Sequence, residues 1–377
     1  MNRKLRTVAV LGVAFVAWAA AGIAQGQSGG EIKIGSLSAL TGSASQPGQS
    51  QRDAIQMVVN DINAKGGIKG QRIRLFIEDD QLSPTAAANA ARKLVFQDKV
   101  FAVIGTPNSP TALSALEVTM EGKTPQIVLG VAPKITQLNN PYVLRVTPVD
   151  SILAEILVNY AVKTRKTDRL AILSDSTDYG RGGRDAAIAA LAKNGLKPEL
   201  SESFNNDDQD FSSQINKIKA SGAKGLVLWG FYVQGARIVS QAKKLGLQIP
   251  IYASSGVLQA NFLELTGAAA EGIYVVSYFS TSDSSPHVQA FVKKWQVTYK
   301  KEADPVAGLG YDAINLLIRA IEKVGPDRDK VVAELKATKD YLGVTGRKTG
   351  SPNGELGLGG IVVQIKGGKP ETIWRSE

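Results

Sequence analysis

The sequence predicts an α/β protein built as two doubly wound parallel-sheet lobes joined by short hinge segments. Three observations lead there. Short apolar runs bounded by turn residues alternate with amphipathic helical stretches almost to the end of the 377 residues. Runs that apolar suit strands buried on both faces, as in a parallel sheet covered by helices. The series then restarts near the middle of the chain, which calls for a second sheet. Finally, no Gly/Ser tether separates the halves; 147–150 (Thr-Pro-Val-Asp) and 280–286 are short breaks suited to hinges that close around something.

The elements follow in order. Residues 32–35 form a strand leading into a helix that carries Ala54, Ile55, Val58, Val59 and Ile62 on one face. Residues 73–77 are a strand, followed by a helix whose inner face includes Ala87, Ala91, Leu94 and Val95. Residues 101–104 and 126–129 are strands with a helix between them. In the second half, 170–173, 225–229 and 273–276 are strands, with helices such as the one carrying Ile215 and Ile218 between them. A long helix then presents Val288, Phe291, Val292, Trp295 and Tyr299 as one stripe, and 311–324 and 330–336 add two more. The tail, 360–374, is broken by Gly367-Gly368-Lys369-Pro370 and reads as a closing hairpin.

The first residues predict export. Asn2-Arg3-Lys4-Leu5-Arg6 is a basic head, residues 8–24 are an uncharged apolar run, and cleavage after either Ala24 or Gly26 suits the small residues there. A cleaved leader over 1–26 is therefore expected, with the periplasm as destination. The chain has no cysteine, which excludes disulfides, thiol catalysis, thiolate metal sites and a lipid-modified cysteine. The formal charge is +10, but its lysines and arginines are dispersed and lack interleaved aromatics, so no nucleic-acid partner is expected.

Enzymatic readings fail on inventory. His287 is the single histidine, and no Gly-x-Ser-x-Gly elbow exists to pair with it. Histidine metal clusters and phosphate-cradling loops are absent too, so no catalytic residue, metal or cofactor is expected. The acidic groups Glu78-Asp79-Asp80 and Asp207-Asp208-x-Asp210 lack the alternation of a calcium loop. They are read as structural, with Asp210 capping the helix that follows.

Binding chemistry fares better. The segment 105–111 (Gly-Thr-Pro-Asn-Ser-Pro-Thr) joins a strand to a helix, with Ser109 expected as N-cap and Pro110 as first helical residue. Such a helix start offers free N–H groups and partial positive charge to a ligand carboxylate. In the second half Tyr179, Phe231, Tyr232 and Ser254-Ser255-Gly256 all follow strands, where ligands sit in open α/β sheets.

These residues resemble a known family, the Leu/Ile/Val-binding type of periplasmic solute receptor that feeds ABC importers. The resemblance is carried by Leu40-Thr41-Gly42, the run Asp61-Ile62-Asn63-Ala64-Lys65-Gly66-Gly67-Ile68-Lys69-Gly70, Tyr179-Gly180-x-Gly182, Asp210-Phe211-Ser212 and Tyr311-Asp312-Ala313, and it spans essentially the whole mature chain. It implies a type I periplasmic binding protein that closes like a Venus flytrap. The lobes would be 27–147 with 280–355, and 148–279 with 356–377, around a ligand cleft.

Position by position, the family's carboxylate-binding serine matches Ser109, and its second-lobe tyrosine matches Tyr179. An aromatic contact matches Phe231 or Tyr232, and a tyrosine near the hinge matches Tyr311. Three positions depart. The covering aromatic is Pro47, beside Gln46; the threonine that holds ammonium and carboxylate is Ala132, beside Val131; the ammonium-pairing glutamate is Ser255. Burying an ammonium without its partner costs about 3–5 kcal/mol. The expected ligand is therefore a carboxylate without an α-amino group, such as a benzoate, cinnamate, keto acid or hydroxy acid. The expected partners are that small acid (or an amino acid, if another group supplies the charge) and importer permease subunits, with the receptor a monomer. A chemosensory receptor or an authentic amino-acid receptor are the competing readings.

Overall fold

The computed structural model describes residues 30–42, 45–258 and 260–376, so the expected leader, 1–26, lies outside the described residues. The first sheet contains β1 (Ile32–Ser38), β2 (Ile73–Asp79), β3 (Ala102–Ile104), β4 (Gln126–Val128) and β5 (Val143–Arg145). All are parallel, in the order β2-β1-β3-β4-β5. Between them run α1 (Gln46–Ala64), α2 (Pro84–Arg92), α3 (Ser109–Glu121) and the single turn α4 (Lys134–Gln137). Central strands of this sheet are buried on both faces, and the predicted α1 face at Ala54, Ile55, Val58 and Val59 packs into the core.

The chain crosses once through 146–149 and builds the second lobe from α5 (Asp150–Asn159) onward. There β6 (Leu170–Asp175), β7 (Leu200–Phe204), β8 (Gly225–Trp229), β9 (Ile251–Ala253) and β10 (Tyr274–Ser277) are parallel neighbours in the order β10-β9-β8-β6-β7. Helices α6 (Asp178–Lys193), α7 (Ser212–Ala220), α8 (Tyr232–Lys244) and α9 (Ala260–Thr266) connect them. Asp210 does not stand at the cap of α7. It accepts from Ser212 N–H at 2.9 Å while Phe211 takes the cap position, so the aspartate shapes the turn one residue earlier.

A second crossing returns the chain to the first lobe. Helix α10 (Pro286–Tyr299) docks on α1, where Tyr299 donates to Asp53 O at 2.6 Å and Lys294 pairs with Asp61. Helix α11 (Pro305–Val324) lies along α1 and is buried along most of its length, and α12 (Arg328–Lys336) covers it. A small hairpin, β11 (Tyr341–Gly343) and β12 (Gly346–Lys348), follows. After a third crossing the predicted tail hairpin, β13 (Ile361–Lys366) and β14 (Lys369–Arg375), adds antiparallel strands to the second sheet beside β10.

The Asn-Ala-Lys-Gly-Gly signature has a local physical role. Asn63, at the end of α1, accepts from Ile73 N–H and donates to Ile73 O, both at 2.8 Å, and so sets where β2 begins. Gly67 follows with φ +80°, and a Cβ there would lie 2.1 Å from Gln71 O. Only glycine closes that turn.

Two of the three crossings meet at Arg145. Its guanidinium is fully buried, pairs with Glu355 through two hydrogen bonds (Nε to Oε2 at 2.8 Å), and donates to Val131 O at 3.2 Å and Ala132 O at 2.6 Å. The end of β5, the loop after β4 and the third crossing are thereby tied to one planar group.

Candidate functional site

A cleft of about 490 Å³ opens between the lobes. Its first-lobe wall includes Pro47, Gly48, Leu82, Pro84, Asn108, Ser109, Leu129, Val131 and Val306. The second lobe contributes Thr177, Tyr179, Asn206, Asp207, Phe231, Tyr232, Gln234, Ser255, Gly256 and Tyr278. Most of these follow the carboxyl ends of parallel strands, where helix N-termini and loops meet above the sheet.

The start of α3 differs from expectation by one residue. Asn108 is the cap, its side chain accepting from Thr111 N–H at 3.3 Å, and Ser109 is the first helical residue with Pro110 second. Ser109 Oγ is engaged elsewhere: it accepts from Ala132 N–H at 3.2 Å. That bond uses a lone pair and leaves the hydroxyl proton free to donate to an oxygen in the cleft, at the positive end of the helix.

The remaining expected residues divide. Pro47, Val131, Tyr179, Phe231, Tyr232 and Ser255 all line the cleft. Phe231 and Tyr232 both do so, because Phe231 caps α8 and Tyr232 opens it. Ala132 stands outside the lining, its methyl buried among Ala112, Leu116, Val128, Ile135 and Val143. Gln46 also stands outside: its amide donates to Asp304 and, at 3.0 Å, to Ser50 Oγ, so it braces α1 against α11. Tyr311 packs on Phe291 with ring centroids 4.8 Å apart, away from the lining. His287, second residue of α10, likewise has no place in it.

Tyr179 is held rigidly. Its hydroxyl donates to Ser254 Oγ at 2.9 Å and accepts from Gly256 N–H at 3.1 Å, while its ring lies 4.8 Å from that of Phe231. Burial pushes the phenol well above its usual range, so it acts as a neutral wall. Gly256 is required for this approach, since a Cβ there would stand 2.7 Å from the Tyr179 oxygen.

Sequence reasoning did not single out Tyr278, Asn206, Gln234 or Val306, and it read Asp207 as structural. Tyr278 obeys the strand-end rule after β10 and was legible by it. Asn206 and Asp207 follow β7, whose half-exposed pattern lacks the apolar signature of the other strands.

The electrostatics are one-sided. Among the described residues no lysine or arginine lines the cleft, and Asp207, on its exposed mouth, is the single charged residue in the lining. Behind the walls lie buried carboxyls. Asp304 caps α11 by accepting from Ala307 N–H at 2.8 Å and also accepts from Ser50 at 2.5 Å; burial nevertheless raises it. Asp150, first residue of α5, is raised well above the carboxylate range by burial, opposed by Arg145 and reinforced by Asp175. Among the described residues no group of three or more acids or histidines is placed to hold a metal ion, and no helix is long and apolar enough to cross a membrane.

Comparison with known proteins places this geometry. A family model described as "Periplasmic binding protein" matches residues 31–369. An amino acid binding protein of Pseudomonas aeruginosa is 28% identical, the match covering 88% of this chain and 89% of the relative. A leucine binding protein of Thermotoga maritima superposes with a TM-score of 0.85 at 28% identity, covering 91% of this chain and 98% of its own. A solute binding protein of Rhodopseudomonas palustris, solved with benzoate, superposes with a TM-score of 0.84 over 92% of this chain and 96% of its own; at 20% identity it bears on the fold alone.

Proposed function

The chain belongs to the periplasmic binding protein family, and from that premise we propose that it is the solute receptor of an ABC importer for a small acid lacking an α-amino group. The ligand enters an open cleft, both lobes contact it, and the importer's permease subunits engage the closed form. Closure is driven only by the contacts that exist in the closed state. In this reading 27–147 with 280–355 and 148–279 with 356–377 are the moving lobes, and the exported protein works as a periplasmic monomer.

The observation that carries the ligand class is the Ser109 hydroxyl at the start of α3, accepting from Ala132 and free to donate. A carboxylate there gains that donor and the positive end of the helix. The body of the ligand then meets Pro47, Tyr179, Phe231 and Tyr278, an apolar and aromatic surround. Burying a phenyl-sized group contributes about 1.5–3 kcal/mol. Neither Ala132 nor Ser255 offers a charge to an ammonium group.

A thermal-shift screen of the mature protein tests this, using benzoate, hydroxybenzoates, cinnamates, keto acids and leucine. A ligand at 100 times its Kd stabilises by about 2.7 kcal/mol. Stabilisation by at least one acid without an amino group is expected. Stabilisation by leucine alone would overturn the ligand class and leave receptor function standing.

A further inference from the structure

We propose that ligand binding is coupled to uptake of a proton at Asp150, so that the anion is captured together with a proton. The inference rests on the reading of the cleft as a site for an acid without an amino group.

Asp150 follows the first crossing directly, and its side chain is fully enclosed. Neither carboxyl oxygen has a hydrogen-bond partner. Its backbone N–H donates at 3.1 Å to the carbonyl of Val131, a cleft-lining residue. The carboxyl lies in a seam between the lobes. A methyl group built on Gly182, in α6, would stand 3.9 Å from Asp150 Oδ2 and 3.1 Å from Pro133 Cδ, which belongs to the other lobe. Opening the lobes draws the 131–133 segment away from α6 and admits water to this carboxyl.

The groups facing Asp150 do not neutralise it. Among the described residues Arg145, from β5, is the cation that opposes the rise, and that guanidinium is committed to Glu355, Thr136 and the carbonyls of 131 and 132. Asp175, at the end of β6, adds negative charge, and its Oδ1 is taken by Thr177 N–H at 2.8 Å. Tyr179 from α6 and Tyr278 after β10 are buried and neutral. The positive end of α5 favours the ionised form, but complete desolvation without a hydrogen-bond partner outweighs it, and the carboxyl is raised. In the closed seam the carboxyl therefore holds a proton, which it releases once hydrated.

The sign follows from linkage. Closure raises the affinity of Asp150 for its proton, so closure is favoured at low pH. That advantage is lost as pH rises from the ordinary aspartate range through the raised value of the closed form, by at most about tenfold in Kd per pH unit. A monoanion bringing no cation of its own adds to the same demand.

Calorimetry of the mature protein with benzoate, from pH 5.5 to 8.5 in two buffers of different ionisation enthalpy, tests the coupling. Uptake approaching one proton is expected, with Kd weakening as pH rises, and Asp150→Asn should bind with a flat profile. Binding with no buffer dependence, or the same slope in Asp150→Asn, overturns the proposal while the reading of the cleft survives. A second arm reads the closed form by thermal shift: the stabilisation given by saturating benzoate should shrink as pH rises over the same range in wild type and stay level in Asp150→Asn. If benzoate stabilises neither protein, the cleft reading fails and the coupling falls with it. Parallel pH profiles overturn the proton.

Discussion

Ser109 Oγ accepts a hydrogen bond from the backbone N–H of Ala132 at 3.2 Å. Two residues expected to meet the ligand separately are thus joined, and only one of them faces the cleft. The bond orients the Ser109 hydroxyl, because the accepting lone pair is fixed and the proton must point elsewhere. Ser109→Ala should leave the fold intact and weaken binding of the acids identified by thermal shift by about 1.5–3 kcal/mol, the range for a hydrogen bond to a charged group. Unchanged affinity would remove Ser109 from the site.

Glu355→Gln tests the crossing point. The fully buried Arg145 would keep its carbonyl partners and lose its counter-charge. Breaking a buried pair from one side costs about 3–5 kcal/mol, so chemical denaturation should show a loss near the lower end, since Glu355 keeps some exposure. A change within about 0.5 kcal/mol, the range of ordinary surface substitutions, would mean the pair does not brace the hinge.

Gly256→Ala places a methyl 2.7 Å from the Tyr179 hydroxyl and 2.8 Å from Gly230 O. Overpacking of this kind costs about 1–3 kcal/mol. Tyr179 must shift, so ligand affinity should fall along with melting temperature, whereas Gly246→Ala, at an open turn, should affect stability alone. Equal affinities in both variants would detach Tyr179 from the cleft.

Lys348 supplies a pH-dependent test away from the cleft. Burial lowers its ammonium to about 8 from 10.5, with Asp312 opposing. Below pH 8 both folded and unfolded chains hold the proton and the folded state bears the full desolvation penalty. Between pH 8 and 10.5 the unfolded chain binds more protons, so this group makes stability rise with pH, by no more than about 3 kcal/mol. Urea unfolding at pH 7.5 and 9.5 should show that rise in wild type and not in Lys348→Met.

Much of this architecture was legible in one dimension. Short continuous apolar runs carried the parallel strands, because burial on two sides demands them, and period-3.6 apolar stripes carried the helices that cover them. The strand-end rule brought forward Tyr179, Phe231, Tyr232 and Ser255. Gln46 was misleading for a physical reason: its neighbour Pro47 reaches the cleft, while a fully buried Asp304, 258 residues away, claims the Gln46 amide. Ser109 was placed one residue off because Asn108 and Ser109 cap equally well by composition, and only the partner at Ala132 decides between them.

What the sequence determined by itself was the class of fold, the restart that makes two lobes, and the set of strand ends from which a cleft could be built. Those are consequences of local periodicity and turn chemistry, which short stretches of chain carry alone. Tertiary structure decided which of those side chains share one cavity, that Arg145 ties the loop after β4 to the third crossing, and that Asp150 is sealed between lobes without a partner. Such facts depend on desolvation and on contacts between residues far apart in the chain, and neither is written in any single segment.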